Sequence, residues 1–209
     1  MNLTIHQMPV LVVGGGVVGR RKAEAVASAG GRVTVVDPRP LSPWISGVVR
    51  HTAGSFVPSH LDGMRLVFAC ATQPVNAEVV AAANARGVWV CSATDPASGD
   101  FVLPSVAKRG QLTFAVSTGG ASPALAKRLA AELLERYDDG YAEWVRVLGE
   151  VRREVLATVS DPGARRRLLE HFARPEWLER IRTAGADVAL AEMRRLLESG
   201  LYNQPDCRG

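Results

Sequence analysis

Gly14, Gly16 and Gly19 fit the spacing G-x-G-x-x-G, and Gly15 completes a run of three glycines. Spacing of this kind serves phosphate binding. The first glycine permits a tight turn, the second lets the backbone approach a pyrophosphate, and the third lets a helix pack closely on a strand. The helix then opens at Val17 and Val18, whose end of the backbone faces the anion. Asp37 lies about twenty residues further on, where a carboxylate holds a ribose 2′-hydroxyl. It favours NAD over NADP, whereas Arg39, reached through Pro38, is the residue type that accepts a 2′-phosphate. Asp95 is a second carboxylate suited to proton transfer. It precedes Pro96, which biases it towards an extended conformation; the competing reading is a turn residue capping its own backbone.

Two further stretches could hold anions. Arg20, Arg21 and Lys22 place cations at the start of a helix, against its macrodipole. A nearby pyrophosphate or a set of substrate carboxylates would offset that cost; outward solvation is the alternative. Ser117-Thr118-Gly119-Gly120-Ala121-Ser122-Pro123 is a second glycine-rich helix entrance, with Ser122 as N-cap and Pro123 at the first helical position. Anion site and close-packed turn are both open readings of it.

The elements that must position these residues follow from hydrophobic patterning. Val10–Val13 is a strand buried on both faces, Val17–Ala29 a helix, and Arg32–Val36 a second strand ending in Asp37. Residues 1–9 are expected to form a short lead-in strand, Pro38–Pro43 a loop, and Val48–Phe56 a third strand. Leu66–Ala71 is a buried strand that delivers Thr72 at its carboxyl end, where ligands collect in open α/β sheets. A helix over Pro74–Arg86, stopped by Gly87, leads to a strand over Val88–Ala93. The sum is a Rossmann-like α/β half with one parallel sheet. After Thr94 the pattern changes. Phe101–Pro104 reads as a short strand or the entry to one, Lys108–Gly110 is a turn, and Leu112–Ser117 alternates like a strand with one buried face. A helix from Pro123 runs to about Tyr137. From Tyr141 to Leu201 the chain reads as helical, with apolar residues near helical spacing over Pro175–Glu198 and residues 200–209 as a frayed tail. The expected divisions are 1–110 for the cofactor, 111–140 for dimerisation and substrate, and 141–209 for a helical subdomain.

Composition narrows the classes. The chain of 209 residues is 47% hydrophobic and 22% charged, as in ordinary globular proteins. It carries no run of about 18 apolar residues and no leader-like start, which points to the cytoplasm and away from a membrane. The net charge of +4 has no basic run interleaved with aromatics, so nucleic acid is not expected; a polyanionic small substrate or a solvated arginine-rich surface both fit. Cys70, Cys91 and Cys207 form no C-x-x-C pair and suit a reducing compartment, with Cys70 and Cys91 as small strand hydrophobes. The four histidines (His6, His51, His60, His171) have no metal-ligand spacing, so no metal site is expected.

Taken as a series, Gly14–Lys22, Ala71-Thr72, Asp95, Phe101–Ser105 and Ser117–Pro123 resemble the precorrin-2 dehydrogenase/sirohydrochlorin ferrochelatase family, the dehydrogenase module of siroheme synthase. The resemblance spans about residues 8–137. It implies NAD-dependent oxidation of precorrin-2, an octacarboxylate tetrapyrrole, to sirohydrochlorin, with Fe²⁺ insertion by the same site in some members. It implies a homodimer that exchanges strands, Asp95 as the key acid, and substrate contacts from Arg20, Lys22, Ser117, Thr118, Gly119, Gly120 and Ser122. Ser92 stands where many relatives have asparagine, and Thr118 where several have a serine that can be phosphorylated. The alternatives are a chelatase-only enzyme and a non-enzymatic NAD-sensing module; Asp95 and the second glycine-rich entrance count against the sensor.

Overall fold

The computed structural model describes residues 3–40 and 49–200. The contacts divide the chain into two compact units, one through Leu103 and one from Pro104.

The first unit is a doubly wound sheet. Strands β1 (Pro9–Val13), β2 (Arg32–Asp37), β3 (Val49–Ala53), β4 (Leu66–Ala69) and β5 (Trp89–Ser92) lie in the order β3-β2-β1-β4-β5. Every pairing is parallel. Helix α1 (Val17–Ser28) connects β1 to β2, and α2 (Gln73–Asn84) connects β4 to β5. All-parallel strands are covered on both faces, which explains the unbroken apolar runs of β1 and β4. Val10, Val12 and Phe68 bury towards Ala23 and Val26 of α1. Leu11, Val13 and Val67 bury towards Val79 and Ala83 of α2. Strand order reverses direction at β1/β4, so the carboxyl ends of those strands form the switch-point crevice where such sheets bind ligands.

The second unit begins with a hairpin of β6 (Ser105–Arg109) and β7 (Leu112–Val116). Helix α3 (Pro123–Arg136) follows, burying Ala126 and Ala130, and then α4 (Asp139–Thr158), α5 (Pro162–Phe172), α6 (Pro175–Ala184) and α7 (Ala186–Ser199). Val147, Val151 and Val155 recur every four residues along α4 and meet Leu168 and Phe172 of α5, Ile181 of α6 and Met193 of α7 in one core. The Trp144 indole N–H donates to Phe172 O at 3.1 Å, closing the turn end of α5 against α4.

Two expectations need correction. Residues 3–8 form no lead-in strand; they turn at His6-Gln7, where Gln7 has φ 57° and its amide donates to Gly30 O at 2.7 Å. Lys108 and Arg109 belong to β6, because Arg109 pairs with Leu112 and leaves only Gly110-Gln111 as the loop. Gly110 has φ +57°, as the first position of a type II′ hairpin turn requires. The helical stretch Pro175–Glu198 is divided by Gly185, at φ +93°, into α6 and α7. Of the two readings of Phe101–Pro104, the structure has the entry to a strand, with β6 starting at Ser105. The expected Pro38–Pro43 loop and the start of the third strand lie partly outside the described residues, as does the tail beyond Gly200.

Candidate functional site

The three motif glycines have different causes. Gly14, at φ +100°, ends β1, and its amide donates to Val36 O at 2.8 Å. A Cβ there would lie 2.6 Å from Cys70 O, so the turn passes against the chain leaving β4. Gly19 faces the turn from α1, and a Cβ on it would fall 1.8 Å from Gly14 O. The protein's own packing therefore dictates both residues. Gly16 is the exception: its φ is −69°, open to any residue, and a Cβ would meet nothing within 4 Å. Its missing side chain leaves space above the start of α1, in the place a pyrophosphate occupies in this motif. That open cradle fits a dinucleotide.

Asp37 closes the other side. The residue is buried, and its carboxylate accepts from the Gly15 amide at 2.6 Å and the Arg39 amide at 2.8 Å. The Arg39 guanidinium adds a longer bond of 3.3 Å from Nε. Burial alone would raise the carboxyl pKa. The bonds from the Arg39 side chain, then those from the Arg39 and Gly15 amides, outweigh it and hold Asp37 below its ordinary value of 3.8. The group stays ionised at neutral pH, an acceptor ready for ribose hydroxyls. Between these walls lies a cavity of about 440 Å³, which brings together Gly14, Gly16, Asp37, Pro38, Arg39 and Thr72. Val17 and Val18 do not line it; both are exposed on the first turn of α1. The sequence reading missed Gly54, Ser55 and Phe56, which form the wall after β3.

Thr72 is the N-cap of α2, and its side chain makes no capping bond. Asp95 is exposed on the loop after β5. Its amide donates to Ser92 Oγ at 3.2 Å, and its carbonyl accepts from Ser98 Oγ at 2.9 Å. The carboxylate caps nothing and has no hydrogen bond or ion pair among the described residues. The capping alternative is therefore not what the loop does with this side chain. A carboxylate left unpaired at the carboxyl edge of a parallel sheet can accept a proton from a ligand.

The three cations divide. Arg20 pairs with Glu24 at 2.8 Å along its own helix. Lys22 turns towards the sheet, with Nζ 5.9 Å from the Phe68 ring centroid, where the ring face attracts it. Arg21 is exposed. In the second unit, Gly119 and Gly120 take φ +62° and +88°, and a Cβ on either would meet nothing within 4 Å. Several groups there are already engaged. The Gly119 amide donates to Ser117 Oγ at 3.2 Å, the Ser122 amide to Thr118 Oγ1 at 3.0 Å, and the Leu125 amide to Ser122 Oγ at 3.2 Å. These bonds hold the loop's shape and leave the Gly120 amide without a partner among the described residues.

Among the described residues no group of three or more His, Cys, Asp or Glu could hold a metal ion, and no helix is long and apolar enough to cross a membrane. Cys70 and Cys91 are free thiols. Burial pushes the Cys70 pKa up to about 11 and raises that of Cys91, so both behave as apolar side chains despite the cation of Lys22 nearby.

A parallel sheet with a glycine-rich turn at β1, an acid at the end of β2 and a cavity between them defines a dinucleotide-binding protein. The chain belongs to the family described as putative NAD(P)-binding, whose model matches residues 1–105. It is 33% identical to the siroheme synthase of Chromobacterium violaceum over 204 residues, 95% of this chain and 43% of that one. It is 38% identical to siroheme synthase 2 of Aeromonas salmonicida over 168 residues, 78% of this chain and 34% of the other. The chain thus spans less than half the length of these relatives. Among solved structures it shares its fold with one titled SirC, precorrin-2 dehydrogenase, at TM-score 0.79 and 24% identity, covering 93% of this chain and 98% of that one.

Proposed function

We propose that this protein is an NAD-dependent dehydrogenase that oxidises precorrin-2 to sirohydrochlorin in siroheme biosynthesis. The observation that carries the reading is the pairing, within one unit, of a dinucleotide cradle with an unpaired carboxylate. Gly16 and Asp37 shape the first, and Asp95 is the second. The similarity to siroheme synthases supports the choice of substrate.

When bound, NAD supplies the hydride acceptor. The amides at the start of α1 hold its pyrophosphate, and the Asp37 carboxylate accepts from ribose hydroxyls, which favours NAD over its 2′-phosphorylated form. Asp95 accepts the proton that leaves the substrate as the hydride departs, so two electrons and two hydrogens leave the tetrapyrrole together. Arg20, Lys22 and the Ser117–Ser122 loop are assigned to the substrate's carboxylates. The unit that ends at Leu103 serves the cofactor, the β6–β7 hairpin and α3 serve dimerisation and substrate, and α4–α7 form a helical support; the expected boundary at residue 110 moves to Leu103/Pro104 because Ser105–Arg109 pair with β7. A homodimer fits the two-stranded β6–β7 sheet, whose outer edges are unpaired among the described residues and whose Val106 is exposed. A cytoplasmic location fits the free thiols of Cys70 and Cys91.

The test is anaerobic incubation of the protein with precorrin-2 and NAD. NADH is expected to form with the wild type and to fall at least about 100-fold with Asp95→Ala, the range of a lost general base. If NAD binds and the wild type forms no NADH, the assignment is wrong. Adding Fe²⁺ to the product mixture then reads iron insertion separately.

A further inference from the structure

Asn76 is buried within α2 at 1% exposure, although an apolar residue would fill the same place without a polar cost. Its amide makes three hydrogen bonds. Oδ1 accepts from the Ala71 amide at 2.9 Å, and Nδ2 donates to Ala71 O at 3.2 Å and to Thr94 Oγ1 at 3.0 Å. The two groups of Ala71 fix the orientation of the side chain: an N–H needs Oδ1 and a C=O needs Nδ2. The remaining Nδ2 hydrogen is thereby aimed at Thr94. Ala71 and Thr72 line the cofactor cavity, and Thr94 immediately precedes Asp95. One side chain therefore ties the cofactor wall to the loop that carries the free carboxylate.

We propose that Asn76 is a positioning residue that holds Asp95 in register with bound NAD, acting through Thr94. The inference rests on the dehydrogenase reading of the site. Elsewhere the loop is held at its start, where the Ala93 amide donates to Ala69 O at 2.9 Å, and locally by the Ser92 hydroxyl at the Asp95 amide and the Ser98 hydroxyl at the Asp95 carbonyl. The two hydroxyls do not reach the cofactor wall, and the Ala93 bond ends on β4 at Ala69, before that wall begins at Cys70. Misplacing a proton acceptor by about 1 Å can cost about 100-fold in rate, so the tie affects turnover more than binding.

The test compares Thr94→Val, Thr94→Ser, Asn76→Ala and the double variant Asn76→Ala/Thr94→Val. It reads NAD affinity, kcat for NADH formation, and amide exchange across residues 93–99. Thr94→Val keeps the Ala71 bonds, so its NAD affinity is expected within twofold of wild type while kcat falls about 10-fold or more and exchange in the loop speeds up. Thr94→Ser restores the hydroxyl and recovers kcat. Asn76→Ala weakens NAD binding as well. The double variant loses no more kcat than Asn76→Ala alone, because the two residues share one interaction. Equal kcat in Thr94→Val and wild type overturns the proposal, as do multiplying losses in the double variant or a Thr94→Ser as impaired as Thr94→Val. If the wild type itself forms no NADH, the dehydrogenase reading fails. The exchange data then still decide the tie: unchanged protection at 93–99 in Thr94→Val means that Asn76 does not hold the loop.

Discussion

At the scale of single residues, the glycine motif separates into positions the fold requires and one the ligand requires. Gly19→Ala forces a methyl to within 1.8 Å of Gly14 O, so α1 must move off β1. A loss near the top of the overpacking range, about 3 kcal/mol, is expected in a urea melt. Gly16→Ala meets no atom and needs no unusual φ. Its stability cost stays at about 1 kcal/mol or less, the usual effect at a helix N-cap, while NAD affinity by calorimetry falls at least about tenfold. Equal effects of the two substitutions on stability would contradict this division. Asp37 behaves differently because charge is involved. In Asp37→Asn, an amide N–H₂ must face either the Gly15 or the Arg39 amide, donor against donor. The expected loss is about 2 kcal/mol, typical of a bond to a charged group. The native carboxyl titrates below 3.8, so its stabilisation is complete above that pH and disappears as pH falls through the depressed native value. Melts of wild type and Asp37→Asn should therefore differ by a constant amount above the ordinary carboxyl range and draw together as pH falls through the depressed native value.

At the scale of elements, legibility depended on how far apart the cooperating residues lie. Strand β1, the glycine turn, α1, β2 and Asp37 form one continuous βαβ stretch, and each signal in it is local. Asn76 was invisible because its partners, Ala71 and Thr94, stand five residues before it and 18 after it, with no motif linking them. The wall at Gly54–Phe56 was hidden for the same reason. Lys108-Arg109-Gly110 looked like a turn by composition, and pairing between β6 and β7 overrode that preference up to Arg109. The end of β5 shows another long-range device. As an edge strand it would expose its backbone, but Asp100 covers it: the Asp100 amide donates to Val90 O at 2.8 Å, and its carboxylate accepts from the Val90 amide at 2.8 Å. Gly99 is needed for that approach, since a Cβ there would lie 2.9 Å from Val90 O. Asp100→Ala leaves the Val90 amide unpaired at a cost of about 1–3 kcal/mol. It is expected to lower the urea midpoint and to raise light scattering on heating; an unchanged midpoint would mean that the strap is not needed to protect the edge.

At the scale of the whole molecule, the proposed function requires more surface than the cofactor cavity provides. A tetrapyrrole with eight carboxylates is larger than the space beside Asp37, and its charge needs several donors. Within the second unit the β6–β7 hairpin is a sheet of only two strands, and such a sheet is marginal unless a partner or a helix covers it. Helix α3 covers one side of the pair with Ala126 and Ala130. Among the described residues the strand edges remain open, and Val106 points its side chain away from the core at 54% exposure. A second copy of the chain would pair those edges and bury Val106, which is the physical content of the homodimer proposed here. Light scattering should then give twice the 22.3 kDa chain mass at micromolar concentration. Val106→Lys places a cation in the proposed contact and is expected to shift the mass towards one chain, with NAD affinity within twofold of wild type because the cofactor cavity is built entirely from residues 13–75. A wild-type mass of one chain across the concentration range would rule out the dimer and leave the hairpin edges to be explained by some other partner.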